Sequence, residues 1–290
     1  MSAVRSAAGR NASWWGGLAD AVLGYDDGRR LRWFEVCFTV QFAVWMGLLA
    51  LHPVEWLGET GFDVDLSPVR PGLGRALPRL PWVGVWVFLV LLTAGVALVL
   101  ANHRWKRLGL VLCLGSAVYV RFADHTSVFT LSSLNVLVFF ILATAPSRGG
   151  EGETRVCVTP VRLCQGLLII LYFTAGLAKA VHGDWWEHED VILTFMQGKY
   201  RTDLAAFLVR TMPLAVWSML RIATLVFELG APVWFGVRRL RPVGLLVGLI
   251  FHVFIALTLA SIWPFSLHCI SYYPLFFPRR WLGMERENAN

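Results

Sequence analysis

An all-α fold, a polytopic bundle of membrane-spanning helices, is what this 290-residue sequence predicts. Three observations lead there. The composition is 57% hydrophobic and only 16% charged, too apolar a mix to solvate the surface of a soluble domain of this length. The apolar residues gather in runs of about 20 with almost no charge, the length at which a helix crosses a bilayer. The lysines and arginines concentrate in alternate connecting segments, as orienting charges do. A soluble two-domain enzyme is the wrong class.

Taken in order, residues 1–30 lack the apolar core of a cleaved signal peptide and read as a basic cytoplasmic arm. Apolar runs at 31–50, 82–101, 108–122, 128–145, 163–181, 214–235 and 243–262 are seven candidate spans. The stretch 265–277 contains Pro274 and forms either an eighth, thin span or a re-entrant piece. The expected transmembrane domain therefore covers 31–281, with 282–290 as a short cytoplasmic tail. With both termini in the cytoplasm, 17 of the 26 basic residues fall inside and seven outside, which satisfies the positive-inside rule. The net charge of +7 is then a topological signal, and no nucleic-acid partner is expected. Two long segments, 52–81 and 182–211, face outward from the cell membrane, the second with an interfacial helix through 191–209. The five cysteines (Cys37, Cys113, Cys157, Cys164 and Cys269) show no Cys-x-x-Cys or Cys/His spacing, so they are expected as buried small hydrophobes, with no metal site.

Ionisable residues inside such spans carry the functional signal. Lys179 lies 17 positions after Arg162, roughly 25 Å along the helix and close to the outer boundary. Arg221 precedes Arg238 by the same interval and shares that depth. Asp124, His125, Asp184 and Trp185 border the same outer layer. Deeper, about 15 Å in, Glu228 and His252 flank the tight turn 238–241, and Asn135 lies near the midplane. A carboxylate there is tolerable beside an imidazole or amide, which makes a Glu228–His252 hydrogen bond the expected structural pairing.

Bland readings stand beside the functional one. Lys179 can snorkel its ammonium to the interface, Asn135 can be packing glue, and Arg221 can pair with an outer-loop acid. Tryptophans such as Trp185 belong at an interface whatever the function. On the functional reading, a lysine in apolar surroundings loses affinity for its proton and becomes a usable general base near neutral pH. A base at the outer interface, open sideways to lipid, suits a hydrophobic substrate with an acidic hydroxyl. A reduced quinone fits, with Lys179 as base, His125 on the opposite oxygen, and Arg221, Asp184, Trp185, Asn135, Glu228 and His252 lining the site.

The segment Tyr172-Phe173-Thr174-Ala175-Gly176-Leu177-Ala178-Lys179, followed by Asp184-Trp185, resembles the lysine-bearing helix of the vitamin K-dependent gamma-carboxylases. Phe227-Glu228-Leu229-Gly230-Ala231-Pro232, then Gly248-Leu249-Ile250-Phe251-His252 and Phe265-Ser266-Leu267, resembles the bacterial HTTM (horizontally transferred transmembrane) proteins, which share that membrane domain. The resemblance runs from about Arg29 to Trp281. It implies an active site facing the outer side. In the carboxylases a lysine deprotonates vitamin K hydroquinone, oxygen then generates a strong alkoxide base, and carbon dioxide adds to a deprotonated glutamate. That role maps to Lys179, and the similarity of Ala123-Asp124-His125 carries a second active-site histidine to His125. Implied with it are a reduced quinone such as menaquinol or vitamin K hydroquinone, with O2 and CO2 if the chemistry is a carboxylation.

Two departures shape the expectation. Ala178 stands where the family has the first of two adjacent lysines. The carboxylases also carry a large lumenal domain after the membrane region, whereas fewer than ten residues follow Trp281. A small molecule or a small peptide is therefore the expected co-substrate, rather than a large protein. Two other classes remain open: a non-catalytic membrane subunit of a peptide maturation, export or immunity system, and a proton-coupled transporter using Glu228 and His252 as a relay.

Overall fold

A computed structural model describes residues 24–61, 77–123, 130–145, 155–183, 185–260 and 262–282. Among them the regular elements are helices except for one ribbon, β1 (Tyr25–Asp27) paired antiparallel with β2 (Arg155–Cys157), which joins the segment before the first long helix to the entry of a long central helix. The long helices are α1 (Arg29–Leu49), α3 (Trp82–Leu100), α4 (Lys106–Ala123), α5 (Thr130–Thr144), α6 (Thr159–His182), α9 (Leu214–Leu229) and α11 (Arg241–Thr258). Shorter pieces connect them: α2 (Pro53–Leu57), α7 (Val191–Gln197), α8 (Asp203–Thr211), α10 (Ala231–Gly236) and α12 (Trp263–Ser271).

Three helices, α3, α6 and α11, are long and apolar enough to cross a membrane, and α8 with α9 makes a fourth if that bent pair is one span. The others miss the criterion for local reasons. Helix α1 carries Arg29, Arg30, Arg32 and Glu35 near its start, α4 begins with Lys106-Arg107 and holds Arg121, and α5 is short. The expected interfacial helix through 191–209 is two helices separated at Gly198–Thr202. The expected single span 214–235 breaks at Gly230, ahead of Pro232.

The stretch 265–277 is not a long helix. It folds as α12 followed by a 3-10 turn (Tyr273–Phe276), and its nine-residue helix rises only about 14 Å, under half a bilayer core. Ser266, His268, Cys269 and every residue from Ser271 to Phe276 are buried, so it plugs the bundle interior.

The core forms where apolar stripes meet. Phe34, Phe38 and Phe42 recur every four residues on α1, are fully buried, and pack edge-on or tilted against Phe139, His268 and Tyr272. Helices α3 and α4 cross at two glycines: a Cβ on Gly109 would come within 2.8 Å of the Gly95 carbonyl oxygen. Helix α3 is apolar all round, and Val83, Val87 and Val90 remain exposed on its outer side. Such a surface is at home in lipid. Cys113, Cys164 and Cys269 are buried, as expected of small hydrophobes, whereas Cys37 and Cys157 are half-buried.

Candidate functional site

Lys179 lies in the last turn of α6, and Glu228 lies in the last turn of α9. The two helices run antiparallel in contact. Along α6 from Tyr172 through Gly176 to the segment beyond its end, the neighbours on α9 fall from Phe227 and Glu228 to Arg221. Gly176 sets their separation, since a Cβ there would stand 2.8 Å from the Glu228 Cβ and 2.9 Å from the Leu229 nitrogen. Side chains on a helix lean towards its N-terminus. In antiparallel neighbours Lys179 and Glu228 therefore lean towards each other. The lysine Nζ donates to both carboxylate oxygens, 2.7 Å to Oε1 and 2.6 Å to Oε2.

Burial around this pair is asymmetric. The Glu228 side chain is 6% exposed and that of Lys179 is 27% exposed. The carboxylate is held inside and the ammonium forms the outer contact. Trp185 covers it, with its ring centroid 5.4 Å from Nζ, a cation–π contact that partly replaces lost water. Trp185 is itself buried in a satellite core with Ile192, Met196, Ala205, Trp217 and Leu225. Arg221, two turns up α9 from Glu228, is buried and donates to the Trp186 carbonyl oxygen at 3.4 Å. Its hydrogen-bond partner is thus backbone.

The expected Glu228–His252 bond does not form. His252 is fully buried on α11 and its Nε2 meets the Tyr172 hydroxyl at 2.6 Å, which in turn lies 3.3 Å from the Tyr273 hydroxyl. Glu228 and His252 thus flank α6 through different residues, the glutamate through Lys179 and the histidine through Tyr172. Equal depth along two helices fixes height but not azimuth, and azimuth separates them. His268 extends the interior polar set, with Nδ1 3.2 Å from Gln41 Oε1 and Nε2 3.4 Å from the Tyr272 hydroxyl. Asn135 is fully buried on α5, and neither side-chain polar atom has a hydrogen-bond partner among the described residues.

The structure thus brings together Lys179, Glu228 and Trp185, with Arg221 close to the cover, and places His252 and Asn135 elsewhere in the core. His125, Asp124 and Asp184 lie outside the described residues. Sequence reasoning passed over Tyr172 and Tyr273 as binding partners; a tyrosine in a motif helix, seven residues before the lysine, was the available signal. Among the described residues no three His, Cys, Asp or Glu side chains stand close enough to share a metal ion.

A bundle of apolar helices with an ion pair held between two of them defines the class, a helical membrane protein. The HTTM domain matches residues 75–281, and the chain belongs to that family. It is a membrane protein related to the gamma-carboxylases. No curated protein and no solved structure matches it.

Proposed function

We propose that this HTTM protein is a gamma-carboxylase-like enzyme acting on a lipid hydroquinone, with Lys179 and Glu228 as one acid–base unit. The observation that carries this reading is the two-pronged Lys179–Glu228 bond beneath Trp185. A lysine paired with a carboxylate is charged at rest, and a charged lysine is no base. The pair can instead pass one proton from ammonium to carboxylate, leaving a neutral amine beside a neutral acid. Lys179 then accepts the hydroxyl proton of the hydroquinone and returns to the ammonium form, while Glu228 keeps its proton. Low polarity around Glu228 brings the neutral pair within reach of the ion pair, because separated charges are costly away from water.

The surroundings suit such a substrate. Leu177 and Val181 on α6, with Ile222 and Val226 on α9, are exposed apolar side chains on the outward faces of the two helices that carry the pair. A lipid-soluble molecule therefore meets an apolar approach. On this reading the bundle has seven or eight spans, both termini lie in the cytoplasm, and the pair sits towards the outer face of the plasma membrane. His125 orients the opposite oxygen of the hydroquinone, Arg221 helps hold the Trp185–Trp186 cover, and Asp184 borders the site. Menaquinol or vitamin K hydroquinone is the proposed reductant, O2 and CO2 are co-substrates of a carboxylation, and a small molecule or short peptide accepts the carboxyl group.

The test is oxygen-dependent hydroquinone consumption by the purified, lipid-reconstituted protein, comparing Lys179→Arg with wild type. Arginine keeps the charge and the bond to Glu228 but does not deprotonate in proteins. Loss of at least about a hundredfold in rate is expected, as for removal of a general base. Full activity in Lys179→Arg would sink the proposal and leave the pair a structural clamp.

A further inference from the structure

At the far end of α6 from Lys179, a concave feature has no role in the proposed chemistry. Arg30 in the first turn of α1, Arg238 and Arg239 in the turn between α10 and α11, and Arg241 at the start of α11 line a cavity of about 260 Å³. Phe276 and Phe277 form part of its wall. Arg30, Arg162 and Arg238 all stand close enough to repel the Arg241 charge. The N-termini of α1 and α11 add positive partial charge to the same place.

The convergence of Arg238, Arg239 and Arg241 on one cavity favours an anion there. Among the described residues no carboxylate pairs with Arg238, Arg239 or Arg241. Arg241 is nevertheless fixed in place. Its Nε donates to the Phe235 carbonyl oxygen at 2.9 Å, Nη2 reaches the Gly236 carbonyl oxygen at 3.5 Å, and its guanidinium stands 5.9 Å from the Phe276 ring centroid. A guanidinium held this way is pre-organised for an oxyanion. The volume falls just below the usual range of ligand pockets, about 300–1,000 Å³, and suits a head group rather than a whole lipid.

We propose that this arginine pocket binds a phosphomonoester or diphosphate group carried on an apolar chain, with the phosphate among Arg30, Arg238, Arg239 and Arg241 and the chain leaving past Phe277. Basic pockets between membrane helices take lipid phosphates in this manner. The site is independent of the Lys179–Glu228 reading.

The experiment uses the full chain in phosphatidylcholine nanodiscs, with phosphatidic acid or inorganic pyrophosphate added, and reads thermal stabilisation against concentration. Phosphatidic acid should stabilise wild type, and R238Q/R239Q should weaken that response at least about tenfold, as expected for two lost charge-assisted contacts. Both arginines are exposed, so the variant should fold. R201Q/R210Q, which removes two exposed arginines elsewhere, should leave the response unchanged. An equal response to pyrophosphate keeps the phosphate site and overturns the apolar chain. Equal stabilisation of wild type and R238Q/R239Q, or an equal loss in R201Q/R210Q, overturns the site.

Discussion

Among the described residues there are two lysine–glutamate pairs of nearly the same geometry. Lys106 Nζ lies 3.0 and 2.9 Å from the Glu35 oxygens, with side chains 31% and 5% exposed. Lys179 and Glu228 repeat this at 2.7 and 2.6 Å with almost the same burial. The difference lies in what else each carboxylate touches. Glu35 has a second cation, Arg32 at 3.4 Å, and Arg32 also donates to the Val99 and Leu100 carbonyl oxygens that end α3. That cluster joins α1, α3 and α4 at their ends and satisfies carbonyls a helix terminus leaves orphaned. Glu228 makes its ion pair with Lys179, beneath an aromatic cover. Identical residue types thus serve as a clamp in one place and, on the proposed function, as a unit able to rearrange its proton in the other.

Removing each lysine tests this contrast most directly. Lys179→Ala should cost about 3 kcal/mol, because it strands a buried carboxylate. Lys106→Ala should cost about 1–2 kcal/mol, because Arg32 remains beside Glu35. Thermal unfolding in one detergent measures both, and equal losses would erase the distinction. Hydroquinone turnover sharpens it, since Lys106→Ala should keep activity that Lys179→Ala loses.

Gly176→Leu should cost about 1–3 kcal/mol by forcing α6 from α9, and the loosened Lys179 should react faster with an amine-directed reagent. Unchanged labelling would mean that Gly176 does not set the pair. Trp185→Leu should cost about 1–2 kcal/mol, about 0.5–1 for the lost cation–π contact and the rest for the space left in the satellite core, read in the same unfolding assay.

Much of this was legible in the sequence. Apolar runs located the long helices, because hydrophobicity over about 20 residues is a strong signal. Lys179 stood out because a lysine in such a run requires an explanation. The partner of Lys179 was not legible from depth alone: Glu228 was assigned to a lower layer and to His252. What corrected it was the lean of side chains in antiparallel helices, which closes the gap between layers. The breaks at Gly198–Thr202 and Gly230 were signalled by glycine, yet apolar content on both sides masked them. The plug at 263–276 is apolar like a span, and only its length and Pro274 distinguish it. The ribbon of β1 and β2 pairs segments more than a hundred residues apart, beyond any local pattern.

One detail bears on how the chain is assembled. The Thr202 hydroxyl donates to the Leu257 carbonyl oxygen at 2.7 Å, its backbone N–H donates to the Thr258 carbonyl oxygen at 3.2 Å, and Ala260 N–H donates to the Tyr200 carbonyl oxygen at 2.9 Å. The end of α11 is thus finished by residues some 55 positions earlier. During synthesis the receptor for that helix end emerges from the ribosome long before the helix does. Insertion of α11 then becomes the docking of a later segment onto a berth already synthesised.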